Sequence, residues 1–216
     1  MCAQFALEIS AAELRDLGIF VPDSVKSITD RFLPYKKIPV IVSTPQGLKL
    51  TAMNFSLVPA WSRESKVKFA TYNARIETVH EKPAWREPFL SQHCLIPLSS
   101  FYESVYQGPH AGHIIGFTAE EKSLLFAAGL FDFWKNPETG ESLFSCSIIT
   151  TEPSAFILEN GHDRTPIFLN FEDGKTWLDL KGDANILKNF LLAKNLNPDL
   201  EVSIDRALKA GWEKKI

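Results

Sequence analysis

Residues 124–151 read LLFAAGLFDFWKNPETGESLFSCSIITT. Two apolar, β-prone runs, 124–134 and 143–151, flank NPETG at 136–140. Asn, Pro and Gly punctuate a chain where it turns, so this stretch predicts a long β-hairpin. It decides the fold class because other runs read in the same way. IPVIV at 38–42, CLIPL at 94–98 and HIIGFT at 113–118 are short and β-rich. LKLTAMNFSLV at 48–58 puts apolar residues at 48, 50, 53, 55 and 57, close to strand alternation. LEVSID at 200–205 predicts a last strand. Helices are interspersed. In SAAELRDLG at 10–18, Ser10 and Glu13 make a capping box and Gly18 stands at the stop. EPSAFILENG at 152–161 predicts a helix with Thr151 as N-cap, Pro153 in its first turn and Gly161 at its end. KTWLDL at 175–180 and ANILKNFLLAKN at 184–195 are helical by pattern, and residues 19–37, with scattered prolines and charges, read as loop. Strands joined mostly by hairpins rather than βαβ units predict an α+β fold with a mixed or antiparallel sheet. Pattern alone does not say whether the long middle strands close into a barrel.

The chain has 216 residues, 45% apolar and 23% charged, which predicts one soluble globular domain over 1–216. No stretch approaches the roughly 18 consecutive apolar residues of a membrane span, and no charged and then apolar segment opens the chain as a secretory signal would. Three cysteines, Cys2, Cys94 and Cys146, lie far apart with no CxxC pair, which argues against a zinc site, and their odd count argues against a disulfide framework. A reducing cytoplasm, a monomer and no cofactor are the expectations; nucleotide-binding glycine loops, HExxH and GxSxG are missing from the sequence. A net charge of −3 does not advertise a nucleic-acid binder, although the footprint of a small site is local.

Cys2 has only Met1 in front of it. Read plainly it is a small residue in a short first strand. With Met1 removed, it carries an α-amine and a thiol on neighbouring carbons, with reference pKa values of about 7.7–8 and 8.5. That pair condenses with an aldehyde and closes a five-membered ring. Three further features carry polar chemistry. YNARIET at 72–78 puts Asn73, Arg75 and Glu77 on alternate positions, which face one way if the segment is extended. FYES at 101–104 places Glu103 behind two aromatic rings, where burial would raise its affinity for a proton. NGHDRTPI at 160–167 sets His162 after a helix stop, where an imidazole titrates near neutrality. From 61 to 86 there are six basic residues against three acidic, interleaved with Trp61, Tyr72 and Trp85, a mixture that suits single-stranded nucleic acid.

In chain order, Cys2 after the initiator Met, NARIET at 73–78, CLIPLSSFYE at 94–103, AAGLF at 127–131, SCSIITTEP at 145–153 and GHDRTPI at 161–167 resemble the SOS-response-associated peptidase (SRAP) family, whose members crosslink to abasic sites in single-stranded DNA. The resemblance runs from Cys2 to about 170 and implies a compact domain around a barrel-like sheet with helices about it. It implies removal of Met1, capture of the abasic aldehyde by Cys2 as a thiazolidine, ring opening assisted by His162, proton transfer by Glu103 and positioning by Asn73. It also implies Arg75 as a phosphate contact, with Trp61, Thr151 and Gln4 along the path of the strand and the protein nucleoid-associated when bound. The chain departs from the family pattern at Ala3 and Gln4, usually glycine and arginine, at Ser104, usually tryptophan, and at Thr165, usually methionine. These bear on DNA affinity rather than on chemistry. Two other readings use the same residues: an N-terminal-nucleophile cysteine peptidase or amidase built on Cys2 and His162, and a non-catalytic nucleic-acid-binding module.

Overall fold

The computed structural model describes residues 3–106, 108, 110–120 and 123–207. The hairpin at 124–151 forms as read. Strand β9 (Leu125–Lys135) runs antiparallel to β10 (Ser142–Thr151), from Lys135 opposite Ser142 to Gly129 opposite Ile148. Three more strands complete a ring with it: β3 (Lys37–Thr44), β4 (Gly47–Phe55) and β6 (His93–Leu98). The order β10–β4–β3–β6–β9 returns to β10 and closes a five-stranded barrel. Four of its joints are antiparallel, and β4–β10 is parallel, so the barrel is mixed. Its interior is tight at Gly129, where a Cβ would stand 2.8 Å from the Cys94 sulfur and 3.1 Å from the Ser147 carbonyl.

Above its barrel joints, β10 changes partners. Its pairing with β4 ends at Cys146, and the short β5 (Asn73–Arg75) then takes that edge from Ile148 to Thr150. On the other edge the segment 165–169 inserts between the diverging β9 and β10. Its strand β11 (Thr165–Pro166) pairs with Thr150 and Thr151, β12 (Phe168–Leu169) pairs with β9, and Ile167 bridges the two by bonds to Ile149 and Ala128. YNARIET and GHDRTPI, 89 residues apart in sequence, are thereby brought to either side of one strand end.

A second sheet, antiparallel throughout, lies beside the barrel in the order β13 (Leu200–Arg206), β8 (Ile114–Ala119), β7 (Ser100–Ser104), β1 (Gln4–Ser10), β2 (Ser27–Phe32). It curls strongly, because Arg31 on one edge strand reaches Asp205 on the other at 2.7 Å. Phe5, Phe101 and Phe117, all fully buried, fix its inner face, with Phe101 and Phe117 stacked at 4.9 Å between centroids. Helix α1 (Ala11–Asp16) carries the expected capping box: the Glu13 amide donates to Ser10 Oγ at 3.2 Å and the Ser10 amide to Glu13 Oε2 at 2.9 Å. Helix α2 (Arg86–Ser91) and the longer α4 (Phe171–Asp179) and α5 (Ala184–Lys194) pack outside the barrel, with the Trp177 ring stacked on His93 at 3.6 Å.

Two expectations are corrected. Residues 19–37 are not all loop, since β2 forms at 27–32. Only Phe32 of that edge strand is buried, so its outward polarity hides the strand, which the β1 ladder makes. The helix after β10 is shorter than read. α3 (Ala155–Glu159) is capped by Ser154, whose Oγ accepts from the Ile157 amide, and Thr151 instead ends β10 opposite Thr165. Pairing with β11 outcompetes the helical start that Thr151 and Pro153 suggest. Gly161 follows α3 in the left-handed region, φ 84°, as a helix stop requires.

Candidate active site

The second sheet delivers Glu103. β7 pairs on both sides, with β1 through Gln4 opposite Tyr102 and with β8 through Glu103 opposite Ile115, so the carboxylate is held on a rigid strand and is 2% exposed. The turn after α3 delivers His162, 4% exposed. Its Nε2 lies 3.0 Å from Glu103 Oε2, and its Nδ1 lies 2.8 Å from the Arg164 carbonyl oxygen. The Arg164 amide also approaches Nδ1, at 3.3 Å; the carbonyl contact is the shorter, and it is made with a proton on Nδ1, since a carbonyl only accepts. The proton between Nε2 and the carboxyl then has two places to sit. On Nε2 it makes an imidazolium–carboxylate pair; on Glu103 it makes a carboxylic acid donating to a neutral ring. Such a pair gives or takes one proton without rearranging.

Arg164 secures that geometry. It is buried, and its guanidinium grips both oxygens of Glu77 at 3.0 and 2.9 Å while Nη2 donates to the Thr150 carbonyl at 2.7 Å. The grip joins the two inserted segments across the end of β10. Burial alone would raise the Glu77 carboxyl, but the Arg164 hydrogen bond, a backbone bond and the charges of Arg164 and Arg75 outweigh it and hold the group below its ordinary value. Of YNARIET, only 73–75 is a strand, with Asn73 buried and Arg75 exposed, and Glu77 has turned away to Arg164.

Glu103 and His162 open onto a cavity of about 720 Å³, lined also by Ala3, Gln4, Tyr72 and Arg75. Burial above all, then the neighbouring Tyr35 and Glu103, pushes the Tyr72 hydroxyl above its ordinary value, so it stays protonated beside the carboxylate. Gln4 is thus at the cavity, and its Oε1 accepts from Arg31 at 2.6 Å. Trp61 is 59% exposed and its indole donates to the Pro83 carbonyl; it is not among the residues lining this cavity. Thr151 is 7% exposed at the end of β10 and does not line it either. Asn73 sits in β5, which runs parallel to β10, with its side chain buried. Met1 and Cys2 lie outside the described residues. Sequence reasoning assigned no role to Arg164, although GHDRTPI contains it, because nothing local shows that its partner stands 87 residues earlier. Cys94 and Cys146 are buried in the barrel, where burial pushes both thiols well above their ordinary value; neither is a nucleophile. Among the described residues, no three His, Cys, Asp or Glu side chains converge on a metal site, and no helix is long and apolar enough to cross a membrane.

Residues 1–204 match the family model of the SOS response associated peptidase (SRAP). The chain is 32% identical over 195 residues to the abasic site processing protein YoqW of Bacillus subtilis, covering 88% of this chain and 86% of that one. It is 30% identical over 175 residues to the abasic site processing protein HMCES of Xenopus tropicalis, covering 68% of this chain and 52% of that one. Among solved structures, a protein from Bordetella bronchiseptica superposes with a TM-score of 0.76 at 22% identity, covering 95% of this chain and all, 100%, of that one. A protein from Bacteroides thetaiotaomicron superposes with a TM-score of 0.73 at 22% identity over 95% of this chain and 92% of that one. The chain belongs to the SRAP family.

Proposed function

We propose that this SRAP-family chain processes abasic sites in single-stranded DNA by trapping their aldehyde on the amine and thiol of Cys2, after Met1 is removed. The observation that carries the reading is the buried Glu103–His162 pair at 3.0 Å, opening on a cavity whose wall includes Ala3, the residue bonded to Cys2. The abasic deoxyribose is mostly a closed hemiacetal. His162 gives a proton to the ring oxygen as the ring C–O bond breaks, and the anomeric hydroxyl passes its proton to Glu103 and becomes the aldehyde. The Cys2 amine adds to that carbon, and Glu103 protonates the departing hydroxyl, so that water leaves and an imine forms. The Cys2 sulfur then adds to the same carbon, its proton passing to the nitrogen, and the thiazolidine closes with one water as the only by-product. Covalent capture divides the reaction into easier steps, and the fixed cavity supplies the proximity. Asn73 positions the reacting end, and Arg75, at the cavity wall, meets a phosphate. Hydrolysis of the Met1–Cys2 bond by the protein itself belongs to the same reading. The protein works as a monomer in the cytoplasm and joins the nucleoid when it is bound to DNA.

One gel tests this. Purified protein is mixed with a labelled single strand bearing one abasic site and run under denaturing conditions, beside Cys2→Ala and an intact-mass spectrum of the free protein. A shifted band that requires Cys2, from protein lacking Met1, is the expected result. A Cys2-independent adduct refutes the nucleophile, and peptide turnover without DNA in place of any adduct replaces the reading with the amidase one. His162→Ala slows the appearance of the band while noncovalent binding stays near wild type.

A further inference from the structure

Three strands of the curled sheet meet at one guanidinium. Arg31 of β2 contacts both oxygens of Asp205 of β13, at 2.7 and 3.0 Å, and donates to Gln4 Oε1 of β1 at 2.6 Å. Its carbon lies 3.7 Å above the ring centre of Tyr102 of β7. Tyr102 can lie flat there because its neighbour on β8 is Gly116, whose Cβ, if present, would press the ring at 3.1 Å. Gln4 and Tyr102 both line the cavity of Glu103 and His162.

The lining of that cavity is short of positive charge. Among the described residues, Glu103, Glu159 and Asp163 line it against one guanidinium, that of Arg75, and the imidazole of His162. A polyanionic strand entering there meets repulsion unless further cations join. Arg31 is a second guanidinium in contact with lining residues, and it is presented as a planar fork, its plane fixed by the Tyr102 ring and the Gln4 carbonyl. A fork that holds two carboxylate oxygens holds two phosphate oxygens in the same geometry. The pair is also reachable by solvent, with Arg31 and Asp205 side chains 33% and 24% exposed. Asp205 is the odd residue at the bulge between Ile204 and Arg206, the place in β13 where the register with β8 slips. A bulged residue stands outside the ladder, so its side chain moves without breaking strand pairing.

We infer that Arg31, in contact with Gln4 and Tyr102 of the cavity wall, is a DNA-phosphate site and that Asp205 is a resident carboxylate which the incoming phosphate displaces. The inference rests on the single-stranded DNA substrate proposed above. It makes Asp205 a brake on DNA binding, set by competition for one guanidinium.

The test is noncovalent binding of an undamaged, labelled single strand by the full chain, followed by fluorescence anisotropy across a salt series. Asp205→Asn keeps the shape and removes the competing charge, and it is expected to tighten binding several-fold. Arg31→Gln is expected to weaken binding and to flatten the salt dependence by about 0.7 units of slope, one phosphate contact on a single strand. The double variant is expected to match Arg31→Gln, since the brake acts only through Arg31. Unchanged affinity in Asp205→Asn overturns the inference, and so does a wild-type slope in Arg31→Gln. If Arg31→Gln does not fold, Asp205→Asn decides alone. A wild type that binds no DNA removes the substrate reading itself, an outcome separate from wild-type binding that is indifferent to Arg31 and Asp205.

Discussion

Two arginines near the cavity each grip a carboxylate with both arms, and they do opposite things. Arg164 and Glu77 are 8% and 41% exposed at the side chain, against 33% and 24% for Arg31 and Asp205. The first guanidinium is locked behind the site, with the Thr150 carbonyl as a further acceptor. The second lies on an open face with an amide and a ring for neighbours. Geometry is nearly the same in both, so environment decides. A buried guanidinium has no water to fall back on and becomes a strut; an open one trades its carboxylate for another anion.

The comparison is broken most severely by Glu77→Ala. It strands the Arg164 charge in the interior and is expected to cost about 3 kcal/mol, a fall in melting temperature of roughly 6–12 °C for a chain of this size. Arg164→Met is expected to cost less, about 1 kcal/mol. It leaves Glu77, which water can reach, and the Thr150 carbonyl still accepts from the Ile76 amide at 2.9 Å. Thermal melts of the two variants check the order, and a larger loss for Arg164→Met would show that the buried charge is not what matters. Acid sharpens the same contrast. Glu77 is held below its ordinary 4.5, so the pair contributes fully above that pH and the contribution fades as pH falls through the lower folded value. Melts between pH 3 and 6 are expected to fall less steeply in Glu77→Gln than in the wild type. The smallest effect belongs to the open pair. A double-mutant cycle on Arg31 and Asp205 is expected to return at most about 1 kcal/mol of coupling to stability, reduced further by salt.

Legibility in the sequence followed the range of the forces involved. The hairpin of β9 and β10, the Ser10–Glu13 capping box and the Gly161 stop are local, and residues a few places apart announced them. Glu103 stood behind two aromatic rings, Phe101 and Tyr102, which pointed to burial, and it is buried in β7. What could not be read was long-range. β2 looks like a polar loop until β1 pairs with it, and Thr151 looks like a helix cap until β11 takes its backbone. The same holds for barrel closure: the β4–β10 joint sets Ser145 beside Asn54, and no pattern within either segment records the other. Glu77 read as one of three aligned polar residues, yet the turn after β5 sends it to Arg164.

The parallel joint between β4 and β10 also sets a clock. Cys2 is among the first residues made, while His162 follows it by 160 positions. At about 5–20 residues per second that gap lasts roughly 8–32 s on the ribosome. Asn73 and His162 come to their places only once β10 has been synthesised and has found β5 and β11, whereas Glu103 waits for β7 to pair with β1 and β8. On the function proposed above, the nascent chain carries Cys2 for a long interval without the Glu103–His162 pair that would put it to use. Barrel closure is in this sense a safety catch, released when synthesis has passed the last strand of the ring.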